Sequence, residues 1–154
     1  MNLRQPFLRS FFSGQSFHDP HGASPGHQGA LAHVGKAHTL PEGVSAGIAL
    51  QAAQALEGRV SVRVVNVPTI KPLDEAIVNA LAADVKGIVT AEEHNVVGGL
   101  GAAIAQALCK ACKPMEFVGV QDCFGCSAKD YESLLAHYGL TKEAIMEAAL
   151  KIAQ

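Results

Sequence analysis

From residue 44 to its last residue, the chain alternates between helical and strand hydrophobic periods with short connections. This pattern restricts it to a three-layer α/β/α architecture on a mostly parallel sheet. VSAGIALQAAQALEG (44–58) places Ile48, Ala52, Ala55 and Leu56 on one helical face, with Gly58 set to end the helix. SVRVVNV (61–67) alternates and is rich in Val, as a strand should be. Pro68 and Pro72 bracket a turn, after which Asp74 can cap a helix carrying Ile77, Val78 and Leu81. GIVTAEEH (87–94) is the next short strand. Gly98, Gly99 and Gly101 then open a helix of small residues with Leu100, Ile104, Ala107 and Leu108 as its stripe. MEFVGVQD (115–122) is a further strand. Ser127 with Asp130 makes a capping-box-like start for a helix bearing Tyr131, Leu134, Leu135 and Tyr138, which Gly139 stops. Thr141 caps a last helix with the stripe Ile145, Ala148, Ala149 and Ile152.

The composition can sustain such a fold. Hydrophobic residues make up 49% of the 154 and charged residues 17%, enough apolar material for one domain with its own core. A formal charge of −2 and a pI near 6.4 offer no basic field to a polyphosphate backbone, Trp is absent and aromatics are 5%, so nucleic acid is not an expected partner. No run of eighteen apolar residues occurs, so no membrane association is expected. Four cysteines without a clear secretory leader favour a reducing, cytoplasmic setting.

Residues 1–33 read as a disordered or irregular leader, and residues 34–154 as the folded domain. MNLRQPFLRSFFSGQSF has two Arg, two Ser and no acid before Asp19, a faint transit-peptide composition, but its apolar and basic residues are not segregated. DPHGASPGHQG is rich in Gly, Pro and His without a period. Ordering such a tract to make His18, His21 and His27 a metal site would cost too much entropy.

CKACKPMEFVGVQDCFGC (109–126) contains two Cys-x-x-Cys pairs, the usual ligand pattern of a tetrahedral zinc shell. Here the pairs flank an expected strand. At about 3.3 Å per residue, five or six residues would hold them nearly 20 Å apart. No metal is therefore expected at Cys109, Cys112, Cys123 and Cys126. Cys126, ahead of a helix, is the better candidate for a reactive thiol, although inert cysteines suit the pattern better.

Glu92, Glu93 and His94 stand at the carboxyl end of a strand, where Glu92 and His94 face one way and Glu93 the other. They could carry acid/base chemistry, bind an ion, cap the neighbouring helix or join a subunit contact. Gly98, Gly99 and Gly101 complete a set of anion- or ligand-binding candidates, since a helix N-terminus presents free N–H groups. Their spacing is only part of a dinucleotide fingerprint, and close helix–strand packing accounts for it equally well. No catalytic residue is assigned.

VNVPTIKPLDE (65–75), IVTAEEHNVVGGLGAAIAQAL (88–108), VGVQDCFGCS (118–127) and HYGLTKEAI (137–145) together resemble the C-terminal domain of transketolase, in the same order and at the same separations. GKAHTLPEG (35–43) is similar to the segment by which transketolases enter that domain, and residues 1–33 carry no resemblance. The resemblance implies a structural and assembly module, inactive alone, that forms a homodimer, joins a companion chain with thiamine-diphosphate-binding domains, or both. The complete enzyme it implies moves a ketol unit between sugar phosphates with thiamine diphosphate and a divalent metal, neither bound by this chain. A small anion- or nucleotide-binding regulator using Gly98–Gly101 is the alternative reading. The chain departs from the family where EG runs directly into VSAG. An apolar strand is missing there, which would leave two neighbouring strands without a partner.

Overall fold

A computed structural model describes residues 44–154 and, for their backbone, residues 29–33. The elements run β1 (Gly29–His33), α1 (Val44–Ala55), β2 (Arg63–Val67), α2 (Glu75–Ala82), β3 (Ile88–Asn95), α3 (Leu100–Ala107), β4 (Met115–Val120), α4 (Tyr131–His137) and α5 (Lys142–Ala153). His18, His21, His27 and the whole of GKAHTLPEG lie outside the described residues.

The strands form one sheet in the order β2-β1-β3-β4. β3 and β4 are parallel, and β1 is antiparallel to both β2 and β3, so every strand except β1 points the same way. This is the mostly parallel sheet that the alternating pattern predicts. Two expectations need correction. The irregular leader does not extend to residue 33, because GALAH (29–33) forms β1. The sheet also has no gap between β2 and β3: Gly29 pairs with both Val67 and Glu92, and His33 with both Arg63 and Ile88. Strands left with bare edges inside a sheet would carry unpaired backbone groups, and a segment from the leader supplies those partners.

Alternation along the strands divides the side chains between two cores. Val64, Val89, Ala91 and Val118 join α1 and α5 in one, with Leu135 and Tyr138 packed against it. Ile88, Val65, Val67 and Met115 face α2 and α3 in the other, with Leu100 and Ile104 fully buried. Helices therefore cover both faces, giving the expected three layers.

The caps follow local chemistry. Asp74 accepts from Ile77 N–H at 3.0 Å and opens α2. Thr141 Oγ1 accepts from Ala144 N–H at 3.2 Å and opens α5. The cap of α4 is Asp130, which accepts from Ser133 N–H at 2.8 Å, and not Ser127. Two helical stripes also shift. In α1 the buried apolar positions are Ala46, Ala49, Ala52 and the following Leu56, while Ala55 is exposed; in α2, Val78 and Ala82 are buried and Ile77 is exposed. Replacing Thr141 by alanine is expected to cost about 1 kcal/mol, the usual value of a lost N-cap. A urea midpoint lowered at unchanged m-value would register it.

Candidate functional site

The carboxyl ends of β3 and β4 and the N-terminus of α3 meet around Glu92. Its position matches Ile88 and Thr90 in the pleat, so its side chain turns toward α3 and is 2% exposed. Oε2 accepts from Leu100 N–H at 2.6 Å and Oε1 from Gly101 N–H at 2.8 Å. A buried carboxyl group thus satisfies two of the free donors of α3, in the place where the helix dipole favours negative charge. Of the roles open to the Glu-Glu-His run, capping the neighbouring helix is the one Glu92 performs.

Glu93 turns to the opposite face. Its Oε1 accepts from Ser45 Oγ at 3.0 Å, and its Oε2 accepts from the Tyr131 hydroxyl. It thereby ties the start of α1 and the start of α4 to β3. Neither partner was legible as a site residue, since Ser45 lies 48 and Tyr131 lies 38 positions away in the chain. His94 follows on β3, half-buried, and Glu92 and Glu93 themselves turn to opposite faces of the strand.

Burial pushes the Tyr131 phenol up from 10.0 to about 12, aided by the hydrogen bond to Glu93 and by its negative charge. The raised value means that the contact stabilises the fold below the ordinary phenol range and is lost as pH rises through about 12. In a Tyr138→Phe background, spectrophotometric titration is expected to place the remaining phenol near 12. Glu93→Gln should lower that midpoint but leave it above 10.0, because burial persists.

Gly99 and Gly101 serve close approach, and Gly98 a left-handed turn. Gly98 has φ +83° at the turn into α3. A β-carbon at Gly99 would collide with the Glu92 carboxyl group and stand 2.6 Å from the Asn95 carbonyl oxygen, and one at Gly101 would stand 2.5 Å from the Phe117 ring and 2.9 Å from Thr90 Oγ1. The turn itself is held by Asn95, whose Oδ1 accepts from Val97 N–H at 2.8 Å and whose Nδ2 donates to Asp122 Oδ1 at 3.3 Å. Helix–strand packing explains the Gly-rich run, and its helix N-terminus is already engaged by Glu92.

The four cysteines are free and exposed. Cys109 and Cys112 precede β4 while Cys123 and Cys126 follow it, so the six residues of that strand separate the pairs by roughly 20 Å. One tetrahedral shell cannot collect all four.

The family model for the transketolase C-terminal domain matches residues 41–145. The chain belongs to the transketolase C-terminal domain family. One relative is the 6-deoxy-6-sulfo-D-fructose transketolase subunit of Clostridium sp. strain MSTE9, 36% identical over 99% of this chain and 46% of its own length. Another is an apulose-4-phosphate transketolase subunit of Phocaeicola vulgatus, 34% identical over 77% of this chain and 41% of the relative. Among solved structures, a split-gene transketolase described as an inactive beta4 tetramer is similar at 36% identity and a TM-score of 0.61, covering 71% of this chain and 36% of that one. The chain thus spans less than half the length of these relatives. The alignment to the Clostridium protein also takes in the leader, for which the sequence alone showed no resemblance.

Transketolase-family relatives bring thiamine diphosphate and a divalent metal into question, and the described residues of this transketolase C-terminal domain do not fit either. A diphosphate at α3 would have to displace the buried Glu92 from Leu100 and Gly101 N–H. Among the described residues, no group of three or more His, Cys, Asp or Glu could hold a metal ion, and no helix is long and apolar enough to cross a membrane.

Proposed function

We propose that this chain is the structural and assembly part of a split transketolase-type enzyme in the cytoplasm, inactive by itself. A companion chain supplies the domains that hold thiamine diphosphate and its divalent metal, and ketol transfer between sugar phosphates belongs to the assembly, in which this chain pairs with the companion, with a second copy of itself, or with both. The observation that carries this reading is the internal occupation of the N-terminus of α3: Glu92 takes two of its free donors, leaving a framework in place of a cofactor cradle. Relatives described as subunits, and a similar structure described as the product of a split gene, support the companion.

The same occupation weighs against the small anion- or nucleotide-binding regulator, because an incoming phosphate would leave a buried carboxyl group without its two donors. The test is reconstitution. The chain is mixed with the product of a neighbouring gene encoding thiamine-diphosphate-binding domains and passed over a sizing column. Co-elution, with thiamine-dependent ketol transfer only in the mixed fraction, is expected. Separate elution, with full activity in the companion alone, would reject the assembly role.

A further inference from the structure

The two Cys-x-x-Cys pairs have the same spacing, yet the fold treats them differently. Cys109 lies in the turn after α3, in which Ala111 N–H donates to the Leu108 carbonyl at 2.8 Å, and Cys112 directly follows that turn. Cys112 has φ 49°, a left-handed conformation that residues with a β-carbon rarely adopt. That conformation turns its thiol back toward Cys109, where it donates to the carbonyl oxygen at 3.9 Å. Both side chains are exposed. A disulfide needs Cα atoms about 4.4–6.8 Å apart, and the turn at 108–111 already folds back the chain that joins these two cysteines.

Cys123 and Cys126 stand otherwise. Residues 123–128 contain no turn or helix. The Tyr138 hydroxyl accepts from Cys126 N–H at 2.8 Å and donates to the Phe124 carbonyl at 3.1 Å, so a phenol grips the backbone between the two sulfurs. A hydrogen bond with the Cys126 side chain is also the largest cause of that phenol's raised pKa. A disulfide here would have to close across a backbone that Tyr138 already holds.

We propose that Cys109 and Cys112 are a dithiol modification site, closing to an intrachain disulfide by exchange with a small-molecule disulfide while Cys123 and Cys126 stay reduced. In the first step one cysteine thiolate attacks the small disulfide, forming a mixed disulfide and expelling one small thiol. The second cysteine then attacks the protein sulfur of the mixed disulfide and expels the other small thiol. Two cysteine thiols lose two protons and two electrons, and the small disulfide is reduced to two thiols.

The experiment equilibrates the full chain in mixtures of oxidised and reduced glutathione, blocks remaining thiols by alkylation in acid-quenched samples, and digests with trypsin. Lys110 lies between Cys109 and Cys112, so their disulfide joins peptide 87–110 to peptide 111–129 with the alkyl label on Cys123 and Cys126, whereas a Cys123–Cys126 disulfide lies within 111–129. The joined peptides are expected to predominate roughly tenfold in the native chain, as the second pair would have to close against a backbone held by two hydrogen bonds. In denaturant that preference should fall toward one, since spacing is then the only determinant. Closure of Cys123–Cys126 first, stable glutathione adducts on Cys109 or Cys112 without joining, or an equal preference in native and unfolded chains would each overturn the proposal.

Discussion

Glu92→Ala is expected to destabilise the domain by about 3–6 kcal/mol, from two hydrogen bonds to a charged group at about 1.5–3 kcal/mol each. Both Leu100 and Gly101 N–H would be left buried without an acceptor, beside the space vacated by a side chain that is 2% exposed. Against a total stability of about 5–15 kcal/mol, such a loss would leave a substantial unfolded population. Urea denaturation of the purified variant measures it directly. Glu93→Ala provides the contrast, because Glu93 is exposed and its loss should cost well under half as much. Equal losses at the two positions would mean that the α3 cap is not the principal anchor of this end of the sheet.

Gly99→Ala attacks the same arrangement from the other side. The added methyl group would occupy the place of the Glu92 carboxyl group, and the Asn95 carbonyl only 2.6 Å away is backbone that cannot rotate aside. Either Glu92 leaves its two donors or α3 moves off the sheet. Overpacking costs about 1–3 kcal/mol by itself. With the Glu92 contacts disturbed as well, the total should reach about 3 kcal/mol or more, comparable with Glu92→Ala. Because both substitutions act on one contact, the double variant should lose far less than the sum of the single ones. Simple additivity in urea denaturation would separate the two residues and contradict this geometry.

Most of the fold was legible because its determinants are local. Thr141 and Asp74 are oxygen-bearing residues just ahead of apolar helical stripes, and both cap as their positions predict. The α4 cap was ambiguous, since Ser127 and Asp130 both precede the helix. Asp130 prevails where the chain before it is held by Tyr138 in a non-helical path. In α1, alanines and a glycine surround Ile48 and apolar residues occupy every side, so periodicity could not fix the phase. The sheet takes Ala49 and Ala52, whose small side chains allow a close approach.

What sequence could not display was long-range pairing. GALAH has two alanines and a glycine, weak strand formers, and its place is set by partners thirty or more residues away at Arg63–Val67 and Ile88–Glu92. The Glu-Glu-His run was recognisable as a place of interest, and the opposite orientations of Glu92 and Glu93 follow from strand alternation alone. That one carboxyl group closes a helix end while the other binds Ser45 and Tyr131 depended on which helices pack on each face.

The most direct test of the central claim is equilibrium dialysis of the purified chain alone against thiamine diphosphate with magnesium. The account predicts equal cofactor concentration on both sides of the membrane at every protein concentration. Saturable binding at one cofactor per chain would contradict it.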